Sequence, residues 1–172
     1  MNAAAGFTTA DHAYMTRALR LARRGVYTTH PNPRVGCVLV HDGQVVGEGW
    51  HRLAGEPHAE ILALRDAGDA ARGATAFVTL EPCAHHGRTP PCAPALIEAG
   101  IRRVVVPAAD PNPRVAGKGL ALLREAGVRV DVGLLADEAE RLNVGFNQRM
   151  TAGRPRVTVK LAASLDGRTA MA

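Results

Sequence analysis

The stretch VGCVLV, residues 35–40, constrains the fold of this 172-residue chain most sharply. It is an apolar run with no polar alternation, too short for a helix. Such a run reads as a strand covered on both faces. HDGQ supplies turn residues, and VVGEGW at 45–50 completes a hairpin. Downstream, short apolar runs at 76–80, 104–106 and 128–132 alternate with helical patterns at 58–68, 93–99, 120–126 and 137–149. A capping box at Thr8-Thr-Ala-Asp11 opens a first helix, with Met15, Leu19 and Ala22 at helical spacing and Gly25 as its stop. A hairpin followed by alternating helices and strands predicts an α/β domain: a mixed sheet, mostly parallel, with helices on both faces. The tail RPRVTVKLAASLDGRTA reads as a fresh strand and turn beyond a boundary near residues 151–155.

A hydrophobic content of 47% in one chain of this length allows a core that needs no disulfides. The three cysteines, Cys37, Cys83 and Cys92, are an odd number, and MNAAAGFTTADH has no charged segment followed by a long apolar run. Both features argue against a disulfide framework and for a soluble cytoplasmic protein. No stretch approaches membrane-spanning length, so no membrane partner is expected. The net charge of +5, carried almost wholly by arginine, fits an anionic ligand, either nucleic acid or a small phosphate ester. It equally fits an arginine-rich solvated surface. With only 3% aromatic residues there is little to stack bases on, so the small anion is favoured and no nucleic-acid partner is expected.

Cys37, in the first expected strand, reads as small apolar filler. His58, Cys83 and Cys92 read differently. His58 and Cys92 stand at expected helix starts and Cys83 just past a strand end, positions where helix N-termini favour thiolates. One imidazole and two thiolates make a three-ligand zinc site with a fourth position open to water, the catalytic arrangement. Zinc lowers the pKa of such a water, and a nearby group must take its proton. Glu60, two residues after His58 on the same first turn, is the expected general acid/base. Each residue alone is more often a cap, a core filler or a solvated carboxylate. Together they match the His-x-Glu…Pro-Cys…Cys order of zinc nucleobase deaminases.

The stretches HPNPRVGCVLV, GEGWH, PHAE, TLEPCAHHGRTPPC and DPNPRVAGKG carry a closer resemblance. Over about residues 11–148 the chain resembles the deaminase domain of the bifunctional riboflavin-biosynthesis deaminase/reductase. The wide interval between the cysteines sets that family apart from relatives that use Cys-x-x-Cys. The resemblance implies a cytidine-deaminase-like α/β/α sandwich around a five-stranded mixed sheet and one zinc ion per chain. It also implies hydrolytic loss of the 2-amino group from 2,5-diamino-6-(5-phosphoribosylamino)pyrimidin-4(3H)-one, a small phosphorylated pyrimidine. Asn32 matches the residue that fixes the pyrimidine edge, and His51 a pocket histidine. His85 and Arg88 match a histidine and a basic residue near the substrate, and Asp110 and Asn112 a polar pair at the ribose phosphate end. Residues 1–150 are then a zinc-dependent deaminase domain, and residues 151–172 the start of a truncated reductase domain or a tail. No NADP site is expected in a chain of this length, and relatives of this kind assemble as homo-oligomers. Two other readings share the metal ligands. One is a tRNA or nucleobase deaminase. The other is a non-catalytic zinc module, which would need a fourth protein ligand from His85 or His86.

Overall fold

Reciprocal capping sets the first element. Asp11 N–H donates to Thr8 Oγ1 and Thr8 N–H to Asp11 Oδ2, each at 3.0 Å, and helix α1 runs Thr9–Arg23. The computed structural model describes residues 6–87, 89–113 and 115–169. After α1 come β1 (Gly36–His41), β2 (Gln44–Trp50), α2 (Ala59–Ala67), β3 (Thr75–Val78), α3 (Cys92–Glu98), β4 (Arg103–Val106), α4 (Lys118–Glu125), β5 (Arg129–Val132) and α5 (Ala136–Ala152). Every helix and strand expected between residues 8 and 149 is present, with ends moved by at most a few residues.

The five strands form one sheet in the order β2-β1-β3-β4-β5. The expectation of a mostly parallel sheet is corrected. β1 is antiparallel to both neighbours, and only β3–β4 and β4–β5 are parallel. The crossover through α2 does join parallel strands, β2 and β3, but β1 lies between them and opposes both. Alternate strand residues face opposite layers, which explains the unbroken apolar runs. Cys37, Leu39, Val78 and Val104 pack with Ala59 and Ala63 of α2, Leu96 of α3 and Leu123 of α4. Val38, Val40, Phe77 and Val105 pack with Met15 and Leu19 of α1 and Ala139 of α5. The result is the three-layer α/β/α sandwich, and Cys37 is fully buried within it.

The expected strand in the tail is not formed. Residues 153–169 carry no strand and are exposed, including Val157, Val159 and Leu161 at 74–79% exposure. Strand structure needs a partner edge, and none pairs with this segment among the described residues. The expected turn is present, closed by Arg168 N–H donating to Ser164 Oγ.

Two features fix the layer that carries the chemistry. Helix α2 lies against β2 over Gly47 and Gly49. A Cβ at Gly49 would sit 2.2 Å from Ala59 O and 2.6 Å from Ala63 N, and one at Gly47 would sit 2.3 Å from Ala63 O. Only glycine permits that approach, and it sets the depth of α2's first turn. The second feature is the buried Glu81 carboxylate. It accepts N–H bonds from Asp110 (2.9 Å), Gly117 (2.8 Å), Gly119 (2.8 Å) and Leu120 (3.3 Å), so the loop after β4 is pinned to the end of β3.

Gly49→Ala should lower unfolding stability by about 1–3 kcal/mol, because the new methyl meets backbone that cannot rotate away. An unchanged urea midpoint would contradict so close an approach. Glu81→Gln turns one acceptor oxygen into a donor facing N–H groups and should cost about 2–3 kcal/mol by the same measurement. Parental stability would show that the four amides find other partners.

Candidate active site

The site lies beyond the C-terminal ends of β2, β3 and β4, where open α/β sheets bind their ligands. Pro57 ends the loop after β2 and leaves His58 as the extended N-cap of α2, with Glu60 in that helix's first turn. Cys83 follows the end of β3. Pro91 caps α3 in an extended conformation, so Cys92 is that helix's first residue. Three separate helix and strand ends therefore deliver the three donor side chains.

Their geometry fits one metal ion. His58 Nδ1 is 3.3 Å from Cys92 Sγ and 3.6 Å from Cys83 Sγ, and all three donor atoms lie within 4.8 Å of one another. Tetrahedral zinc with ordinary bond lengths separates its nitrogen and sulfur ligands by about 3.6 Å. Among the described residues no fourth His, Cys, Asp or Glu joins the cluster, and His85 and His86 stand outside it. The other imidazole nitrogen, His58 Nε2, is 3.2 Å from Thr89 Oγ1.

The protein groups alone already separate their charges. Hydrogen bonds from Cys92 and His58 bring the Cys83 thiol down to about 4, against the opposing effect of burial. The Cys92 thiol is pushed up by that same sulfur and by burial. The Cys92 N–H also donates to Cys83 Sγ at 3.4 Å. A divalent cation would reverse the penalty on the second thiolate. Glu60 is 3% exposed, and burial raises its carboxyl to about 7, opposed by His58 and reinforced by Cys83. Such a carboxyl can both take and give a proton near neutral pH.

A cavity of about 360 Å³ opens beside this cluster. His58, Glu60 and Cys83 line it together with Asn32, His51, His85, Asp110 and Asn112. Of the residues singled out from the sequence, Arg88 lies outside the described residues. His51 Nδ1 is 3.3 Å from Pro57 O, which can only accept, so the ring proton sits there. Burial keeps His51 below its usual pKa, with the Pro57 carbonyl opposing. Its Nε2 then accepts from Asn32 Nδ2 at 3.1 Å, which orients the amide. Asp110 accepts the Asn112 N–H at 2.7 Å, and burial raises its carboxyl to about 6.

Sequence reasoning missed three contributors. Thr89 touches the His58 imidazole, Glu81 holds the loop that carries Asp110 and Asn112, and Phe146 of α5 walls the cavity. Asn143, also on α5, bonds the Arg34 backbone at both ends: its Oδ1 accepts Arg34 N–H at 2.8 Å and its Nδ2 donates to Arg34 O at 2.9 Å. The Thr-Pro-Pro-Cys run and the Glu-Pro-Cys run were the available signals for the first two. Nothing local marked α5.

Residues 8–108 match the family described as the cytidine and deoxycytidylate deaminase zinc-binding region. The riboflavin biosynthesis protein RibD of Escherichia coli (strain K12) is 65% identical over 162 residues, covering 94% of this chain and 44% of that protein. The diaminohydroxyphosphoribosylamino-pyrimidine deaminase of Buchnera aphidicola subsp. Schizaphis graminum is 52% identical over 145 residues, covering 84% of this chain and 99% of that one. Among solved structures, Acinetobacter baumannii RibD (form 2) superposes with a TM-score of 0.90 at 58% identity, covering 94% of this chain and 46% of that one. The chain thus spans about half the length of the RibD proteins it matches and nearly all of the shorter deaminase. With its His58, Cys83 and Cys92 cluster, it belongs to the zinc-binding cytidine and deoxycytidylate deaminase family, on the branch formed by the deaminase part of the riboflavin-biosynthesis proteins.

Proposed function

We propose that this chain hydrolyses the 2-amino group of 2,5-diamino-6-(5-phosphoribosylamino)pyrimidin-4(3H)-one, releasing ammonia and the 5-amino-6-(5-phosphoribosylamino)uracil product. The observation that carries this reading is a buried carboxyl, Glu60, beside a three-donor cluster that has no fourth protein donor among the described residues, all facing one cavity. His58 Nδ1 and the Cys83 and Cys92 sulfurs would hold one zinc ion per chain. When bound, the ion would supply Lewis acidity and lower the pKa of a water at its open position towards neutrality.

Glu60 would take a proton from the attacking water and give it to a ring nitrogen beside C2. It would then help protonate the departing amine, so one water is consumed for each ammonia released. A carboxyl near 7 suits both directions of transfer. Asn32 spends its Nδ2 on His51, which leaves Oδ1 to accept from a donor on the pyrimidine edge. His85 and Arg88 would stand beside the substrate, and Asp110 and Asn112 at its ribose phosphate end. Residues 1–150 would be the deaminase unit, with residues 151–172 leading out of it. Among the described residues no helix is long and apolar enough to cross a membrane; a cytoplasmic homo-oligomer is the setting we infer.

Cys83→Ser should lose the metal. Zinc measured after dialysis should fall from about one per chain to near none; full occupancy would remove the ligand assignment. Glu60→Gln should keep the metal and lower kcat on the phosphoribosyl pyrimidine by about 10²–10⁴-fold. Turnover close to parental would require another proton carrier.

A further inference from the structure

The ligand that faces both sulfurs is His58 Nδ1. A nitrogen that binds a metal must offer its lone pair, so the ring proton is left on Nε2. That N–H points away from the cluster and needs an acceptor. A ligand imidazole whose second nitrogen is unsupported can rotate about its side-chain bonds and binds its metal less well. The acceptor within reach is the hydroxyl of Thr89, 3.2 Å away.

Thr89 is well placed to hold still. It belongs to the interval between Cys83 and Cys92, and its own carbonyl accepts the Gly87 N–H at 3.3 Å. Pro90 follows it, and a residue before proline is kept out of the helical region. Pro91 then caps α3, whose first residue is the ligand Cys92. The route from Thr89 to Cys92 is therefore stiff. A Cys-x-x-Cys clip would leave two residues between its sulfurs. The nine-residue step from Cys83 to Cys92 lets the chain pass the far side of the imidazole and return.

We propose that Thr89 is a positioning residue of the metal site: its hydroxyl accepts the Nε2–H of His58 and fixes the imidazole with Nδ1 toward the ion. The wide interval between the cysteines thus delivers one ligand and the support of another. This inference rests on the zinc site proposed above.

The test is the zinc affinity of the folded chain, read by equilibrium competition with a chelator. Thr89→Val keeps the shape and removes the acceptor; it should weaken zinc binding about 10–100-fold, while Thr89→Ser stays near the parental value. Thr89→Ala is the second hydroxyl-free variant if the valine protein does not fold. Parental affinity in a hydroxyl-free variant would overturn the proposal. So would a serine variant as weak as the valine one, which would assign the effect to packing of the methyl group. Cys83→Ser, measured alongside, separates the two layers of inference. Zinc retained at parental affinity in Cys83→Ser overturns the site itself, whereas zinc lost there but held normally by Thr89→Val overturns only the role of Thr89.

Discussion

The close approach of α2 to β2 over Gly47 and Gly49 is the constraint on which the site depends. It buries the first turn of a helix whose N-cap is His58 and whose second residue is Glu60. A carboxyl placed there loses its water, and burial raises its pKa toward neutrality before any ligand acts on it. Backbone proximity, which costs two side chains on an edge strand, is converted here into proton affinity.

Charge is distributed in the same economical way. The Cys83 sulfur is favoured as a thiolate by donors that are themselves part of the cluster, Cys92 and His58. The Cys92 sulfur is held back by its neighbour and by its burial. The second half of the pocket is positioned by hydrogen bonds: the Asn32 amide is turned by His51, and the loop that carries Asp110 and Asn112 is tied down by Glu81.

Much of this was legible in the sequence, for identifiable reasons. Helix starts were readable because caps and prolines act over three or four residues, as at Thr8, Pro57 and Pro91. The His58, Cys83 and Cys92 cluster was readable because His-Ala-Glu and Pro-Cys sit beside those starts. Strand order was not: the hairpin turn set β1 against β2, but β1 also opposes β3 because it fills the gap under a crossover, a fact of chain routing that no local pattern encodes. Glu81 was visible as a letter next to Pro-Cys, but its four partners lie 29 to 39 residues away. The tail from residue 154 has a strand's alternation, yet alternation without an edge to pair with gives only exposed apolar side chains.

The clasp between Asn143 and the Arg34 backbone has a consequence for how the cavity wall is held. It joins residues 109 apart, whereas the bond from Cys92 to His58 spans 34. Loop-closure entropy makes the longer connection dearer by about 1 kcal/mol. Two net hydrogen bonds contribute about 1–3 kcal/mol, a gain of the same order. Apolar residues of α5 such as Ala139 and Leu142 pack on the sheet, and Arg149 donates to Pro31 O at 2.6 Å, so the clasp is one of several ties on that helix. Asn143, at a kink with φ −112° and ψ 19°, thus ties α5 directly to the loop that bears Asn32, so the bend of that helix and the position of the Asn32 amide are set together.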